Sequence, residues 1–307
     1  MNDFQLYTKQ FVTACKRSLQ NDYRQFYDDF FEYGNSSAET ALYFIPGING
    51  VPGQIRFALP SLMKRYGTDI YVRCLNVPEF SAKNPIWEKY SLANMERKRA
   101  RLISDLNALG ERYKQVKIIV SSNGIYDFMF ALRGLDQSLL EKSVLFWVAV
   151  APDSFDPTPW EKFFYRLNGF QEDGHKWFAV PNSNMLKIFN PEVSVWHQWK
   201  GRGITKKWTK TDIEMRFRCF GMLWMYVSIS RFNEILAYVR KDATFPITIP
   251  SYILAATADG YWQGKPQSEI TKLIDRYFVD KEVLYRKASH LWVLTPDNLD
   301  DLLGLDR

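Results

Sequence analysis

Cysteine and histidine are both scarce: the chain of 307 residues has three of each. Cys15, Cys74 and Cys219 lie far apart in apolar or amphipathic segments, with no CxxC spacing and no Cys/His cluster. This excludes a disulfide scaffold and a zinc site of the usual ligand spacing, and leaves reduced, buried thiols as the expectation. No uninterrupted apolar run is long enough to span a bilayer, and the opening MNDFQLYTKQ has no basic stretch leading into an apolar core. The expected setting is therefore soluble, unexported and cytoplasmic. Charge of one sign is not in large excess either: a net +6 is modest for this length and does not by itself imply nucleic-acid binding. There is no nucleic-acid motif, no internal repeat, and neither GK[ST] nor GxGxxG to cradle a nucleotide phosphate. What is abundant is apolar residues, 46% of the chain, enough to bury a large core in one elaborated domain or two modest ones.

From about Phe4 to Tyr33, apolar residues such as Phe4, Tyr7, Phe11, Cys15, Leu19, Tyr23, Phe26 and Phe30 recur at helical spacing. This predicts an amphipathic helix packed on the core or on a second copy in a homodimer, with a membrane-surface contact as the alternative. From Leu42 onward, short apolar runs alternate with helix-like stretches, the pattern of a mostly parallel sheet covered on both faces. The expected strands are Ala41 to Ile45, Asp69 to Leu75, Val116 to Ser121, Ser143 to Val150, Ser251 to Ala256 and Leu291 to Thr295. Helices are expected over Gln54 to Tyr66, Ala93 to Tyr113, Gly124 to Arg133 and Glu269 to Phe278.

Between Pro152 and Pro246 the alternation stops, and Trp160, Trp177, Trp196, Trp199, Trp208 and Trp224 accumulate with many Phe and Tyr. This reads as an inserted, mainly helical unit whose aromatics form its own core or wall an apolar pocket. The organisation expected is an N-terminal helical segment (1–40), an α/β core (41–151 and 245–307) and an aromatic-rich helical cap (152–244). Within the cap, Lys200, Arg202, Lys206, Lys207, Lys210, Arg216 and Arg218 form either a solvated face or an anion-attracting rim.

The string KIIVSSNGIYDFMFAL, Lys117 to Leu132, runs from a β-branched stretch into small, turn-forming residues and then into a helix. A nucleophile held on such a sharp corner needs small neighbours two residues either side. Ser122 has Gly124 after it and Val120, where glycine is usual, before it; Ser121 would be flanked by Ile119 and Asn123. A lone serine at a strand end is ordinarily structural, but this one has partners. Asp259 follows an apolar strand in YILAATADGYW, and His290, in KASHLWVL, stands before the last expected strand; His175 and His197 lie in the inserted segment. Asp153, in APDSF, is a reserve for the acid role. A fourth element, YFIPGINGVPG, is a strand followed by a glycine-rich turn, which lets a backbone N–H approach a ligand closely. The N–H groups of Ile48 and Asn123 are the candidate donors to a developing oxyanion.

On the Pro46-Gly47-Ile48 turn, the Ser122 elbow, Asp259 and His290, in that chain order, the sequence from Leu42 onward resembles the α/β-hydrolase superfamily. The resemblance implies a parallel sheet with a cap inserted after the strand ending near Val150. It also implies a serine hydrolase acting on a carboxylic ester, lipid ester or thioester, with Ser122 as nucleophile, His290 as base and Asp259 orienting the histidine. No metal or organic cofactor is needed for that chemistry. The implied partner is a small-molecule acyl substrate with an apolar portion, contacted by Gly47, Trp160, Trp224 and Trp262, and not a nucleic acid. Alternatives on the same residues are C–C bond or lactone hydrolysis and a catalytically silent binding protein. Dehalogenases and epoxide hydrolases are disfavoured because they use an aspartate nucleophile where Ser122 stands. Two departures loosen any subfamily assignment: Pro46 replaces a frequent histidine and Val120 a small residue. The two opening strands common in the family are not evident, the N-terminal helix taking their place.

Overall fold

Residues 32–47, 55, 58–67, 69–78, 91–154, 229–259, 262, 265–288, 290, 293–294 and 296–306 are described in the computed structural model of the chain. Their elements are β1 (Glu32–Gly34), β2 (Thr40–Ile45), α1 (Leu59–Tyr66), β3 (Tyr71–Cys74), α2 (Leu92–Arg112), β4 (Gln115–Ser121), α3 (Gly124–Ala131), α4 (Gln137–Leu140), β5 (Ser143–Val148), α5 (Ile229–Asp242), β6 (Ser251–Ala256), α6 (Gln267–Tyr277), β7 (Lys281–Arg286) and α7 (Pro296–Leu305). The strands form one seven-stranded sheet in the order β1-β3-β2-β4-β5-β6-β7. Every pairing is parallel except that of β1 with β3.

Strand alternation sorts side chains between the two covered faces. Tyr43 and Ile118 are register partners, and the Tyr43 hydroxyl donates to Asp105 on α2 at 2.9 Å. Lys117, one residue along β4, points to the other face, where its ammonium meets the Asp306 carboxylate just past α7. α2, α3 and α5 pack together on the first face, and α1 and α7 pack together on the second. Burial on both sides explains the near-continuous apolar runs of β2, β4 and β5. α2 begins where the Ser91 hydroxyl accepts from the Asn94 N–H at 3.2 Å, and its buried residues, among them Met95, Lys98, Leu102, Asp105, Leu106 and Leu109, follow helical spacing. All eight residues of α3 are buried, because this helix lies between the sheet and the pair α2 and α5.

Three expectations are corrected. Among the described residues the last strand is Lys281–Arg286, and Val293 and Leu294, inside the expected Leu291 to Thr295, are buried core residues outside any strand. The half-buried KEVLYR mixes charged with apolar residues as an edge strand does, whereas a short apolar run such as LWVL is ambiguous by pattern alone. The predicted N-terminal helix does not extend to Tyr33, since Glu32–Gly34 is an opening strand antiparallel to β3. Gly34 permits this pairing: its φ is +94°, and a Cβ there would lie 2.4 Å from the Ile70 carbonyl oxygen. Where a helix is expected from Gln54, α1 starts at Leu59 after a turn at Ala58, and α7 lies where the sequence pattern predicts no helix.

The rest of the predicted N-terminal helix, Ile48, Trp160, Trp224 and the Lys200 to Arg218 cluster lie outside the described residues. Helix α5, at the end of the expected cap, packs on α2 and α3 and sends Ile235, Leu236 and Val239 into the main core. Among the described residues, no helix is long and apolar enough to cross a membrane.

Candidate functional site

The carboxyl ends of the parallel strands gather the candidate residues, as open α/β sheets commonly do. Ser122 follows β4, Asp259 follows β6 and His290 follows β7. All three are buried. His290 Nε2 lies 2.8 Å from Ser122 Oγ, and His290 Nδ1 lies 2.5 Å from Asp259 Oδ2. A carboxylate on Nδ1 fixes the tautomer that carries its proton there, so Nε2 is left as the acceptor for the serine proton. The sequence order therefore becomes a continuous relay from carboxylate through imidazole to hydroxyl.

Ser122 adopts φ +52°, a left-handed conformation that costs a non-glycine residue about 1–2 kcal/mol. The surrounding turn holds it there. The Ser122 N–H donates to the Val148 carbonyl at 2.8 Å, and Trp147 Nε1 donates to the Ser122 carbonyl at 2.9 Å. The corner is also sterically tight. A Cβ on Gly124 would come within 2.8 Å of the Pro46 carbonyl oxygen, and one on Gly47 within 2.9 Å of Ser122 Cβ and 3.0 Å of the Ser121 carbonyl oxygen. Small residues are thus required on the two backbones that meet at Ser122. Val120 causes no such conflict: it is fully buried between its register partners Ile45 and Trp147.

The loops that carry Asp259 and His290 are tied to each other by main-chain bonds. The Thr257 N–H donates to Arg286 O at 2.9 Å and the Ala258 N–H to Ala288 O at 3.1 Å. Trp262, expected to touch a ligand, is buried; its backbone N–H donates to Asp259 O at 3.1 Å and its indole N–H to Val150 O at 3.0 Å. It braces the Asp259 loop against the exit of β5. Asp153, the reserve acid, is instead taken up by Arg240 at 3.0 Å, Arg276 at 3.1 Å and the Tyr277 hydroxyl at 3.2 Å.

Two features escaped the sequence reading. Beneath the elbow, Lys98 of α2 and Asp127 of α3 form a buried ion pair at 2.5 Å. Burial raises the Asp127 pKa above its ordinary value and Lys98 pulls it back down. A lysine within the apolar stripe of α2 and an aspartate inside GIYDFMFA were the available signals. The second is the Asn123 side chain, whose Oδ1 accepts from Ser122 Oγ at 3.3 Å. The sequence points only to its backbone, whose N–H opens the first turn of α3, where helical N–H groups lack an intrahelical acceptor.

No protein-family model matches the chain, and no curated protein matches it in sequence. Solved structures do match in shape. One is a metagenome-derived lipolytic enzyme of the LipS and LipT pair, 15% identical with a TM-score of 0.51, the match covering 90% of this chain and 96% of that one. A laboratory-evolved variant of potato epoxide hydrolase is 12% identical with a TM-score of 0.50, over 90% of this chain and 93% of the other. An epoxide hydrolase from an endophytic Streptomyces is 14% identical with a TM-score of 0.50, over 89% of each chain. With the sheet order, these likenesses give the chain the α/β-hydrolase fold.

Proposed function

We propose that the chain is a serine hydrolase that cleaves a carboxylic ester, lipid ester or thioester through an acyl-enzyme. The observation that carries this reading is the relay of Asp259, His290 and Ser122 at 2.5 and 2.8 Å, ending on a serine in a strained elbow. In acylation, the Ser122 proton passes to His290 Nε2 as Oγ bonds to the substrate carbonyl carbon. The bond to the leaving group then breaks, and His290 returns the proton to that group. Water repeats the sequence on the acyl-enzyme, releasing the acid and restoring the hydroxyl. Asp259 holds the imidazole tautomer and stabilises its cation. The backbone N–H groups of Asn123 and Ile48 are the proposed oxyanion donors, a role supported by how closely Gly47, the residue before Ile48, approaches Ser122.

The neighbours in shape include a lipolytic enzyme and epoxide hydrolases, and the residue at the elbow favours the first chemistry. A serine transfers its proton and forms an ester, which suits attack on an acyl carbon; an aspartate nucleophile, expected for epoxide opening, is not at position 122. The test is fluorophosphonate labelling of the wild type, Ser122→Ala and His290→Ala, followed by hydrolysis of p-nitrophenyl esters of graded chain length. Labelling confined to the wild type is expected, and the chain-length profile would size the acyl pocket. A well-folded wild type that does not label would point to a silent binding fold, and labelling that survives Ser122→Ala would move the nucleophile elsewhere.

A further inference from the structure

The Asn123 side chain is 6% exposed and lies against the Ser122 oxygen through Oδ1. Nδ2 of the same amide is buried and has no hydrogen-bond partner among the described residues. An unmet buried donor costs about 1–3 kcal/mol. Such a group is expected where a ligand supplies the acceptor. The contact with Ser122 does not account for the residue. The hydroxyl has one proton to give, and His290 Nε2 at 2.8 Å is a better acceptor than Asn123 Oδ1 at 3.3 Å.

Nδ2 is one amide angle away from Oδ1, and so within a few ångströms of the serine oxygen. The carbonyl oxygen of an ester under attack by Ser122 must occupy the same neighbourhood. We infer that Asn123 Nδ2–H is a third hydrogen-bond donor to the oxygen of the carbonyl under attack, beside the backbone N–H groups of Asn123 and Ile48. This rests on the reading of Ser122 as nucleophile. The ligand class is an acyl compound whose carbonyl oxygen becomes an oxyanion. Because negative charge grows on that oxygen only as the tetrahedral intermediate forms, the donor acts on kcat more than on KM.

Two substitutions separate this role from packing. Asn123→Ala keeps the backbone N–H and removes the amide; Asn123→Asp keeps the shape and replaces the donor with an acceptor. On the p-nitrophenyl ester that the wild type turns over best, Asn123→Ala should lower kcat about ten- to a hundredfold with KM within about twofold. Asn123→Asp should lower it further by setting a carboxylate against the oxyanion. Asn123→Ala should melt no lower than the wild type, because the substitution removes an unsatisfied group. It should also still label with fluorophosphonate, more slowly.

An Asn123→Ala kcat within about twofold of wild type would overturn the inference. A loss confined to KM, or a loss of activity that tracks a loss of melting temperature, would do the same. The two readings fail differently. A wild type whose labelling is absent, or survives Ser122→Ala, withdraws both, whereas a labelled wild type with an unimpaired Asn123→Ala withdraws only the role of Asn123.

Discussion

The flanks of the sheet and its carboxyl edge both bury polar side chains, but they satisfy them differently. On the flanks Lys98 meets Asp127, Lys117 meets Asp306, and Asp105 collects Tyr43, Arg73 and Arg101. Each of these carboxylates faces a cation within the protein. At the edge, the chain of contacts from Asp259 through His290 ends on a serine hydroxyl, beside a strained backbone and an amide nitrogen with no described partner. These ion pairs are closed upon themselves; the Ser122 hydroxyl and the Asn123 amide at the edge are left open on one side, where the proposed substrate would complete them. Strain and an unmet donor both disfavour the folded state, so their meeting at Ser122 and Asn123 argues for a use there.

The largest expected effect comes from closing the open side. Ser122→Gly and Ser122→Ala should both reduce ester hydrolysis on the order of 10³-fold or more, since each removes the proposed nucleophile. They should differ in stability. Glycine takes φ +52° freely and alanine does not, so Ser122→Gly should be more stable than Ser122→Ala by about 1 kcal/mol in chemical denaturation. Equal stabilities would mean that the corner is not strained.

The converse test opens a closed pair. Lys98→Met leaves the buried Asp127 carboxylate without its cation and should cost about 3–5 kcal/mol at neutral pH. Burial already raises the Asp127 pKa while Lys98 lowers it, so loss of Lys98 leaves burial unopposed. A carboxyl whose folded pKa is raised contributes stability that is present below its unfolded value, about 3.9, and lost as pH rises through the folded value. The deficit of Lys98→Met relative to wild type should therefore shrink as pH falls from the raised folded value toward about 4, and change little below that. The double substitution Lys98→Met with Asp127→Leu should recover most of the loss, because an apolar pair of similar volume replaces the ions.

A smaller effect is expected where the open site meets its scaffold. Gly47→Ala sets a methyl 2.9 Å from Ser122 Cβ and 3.0 Å from the Ser121 carbonyl, neither of which can swing aside. Overpacking of this kind costs about 1–3 kcal/mol, and displacement of the elbow should lower kcat by roughly a hundredfold. Loss of stability with full activity would separate Gly47 from the site.

The strands of the sheet interior were legible because double-sided burial writes itself as β-branched runs: β2, β4 and β6 fall within a residue of where the pattern put them. The meeting of Ser122, His290 and Asp259 was legible for a related reason. Strand ends announce loops, and the scarcity of histidine left His290 alone in the sheet half of the chain. The edges were harder. β1 is three residues long, and its pairing with β3 needs one close approach at Gly34, which no local pattern records. β7 carries Lys281 and Glu282 among its apolar residues, so the purely apolar LWVL drew the strand assignment instead. The unmet Asn123 donor and the Lys98–Asp127 pair depend on which side chains meet across elements, and sequence spacing alone does not state that.

The smallest expected effect is at Asp153, the other acid that the sequence offered beside the site. It belongs to the closed class, accepting from Arg240, Arg276 and Tyr277, and these contacts are partly exposed. Asp153→Asn should leave ester hydrolysis within about twofold of wild type and cost at most about 1 kcal/mol. Its clearest signature should be spectroscopic. Burial, and after it the Asp153 charge, pushes the Tyr277 pKa up to about 12. Removal of that charge should let the phenol ionise at lower pH, seen in the ultraviolet difference against Tyr277→Phe. Asp259→Asn, by contrast, should lose on the order of 10³–10⁴ in kcat because it permits the wrong imidazole tautomer. If the two losses were reversed, the acid that orients His290 during turnover would be Asp153, and the 2.5 Å contact between Asp259 and His290 would belong to the closed class instead.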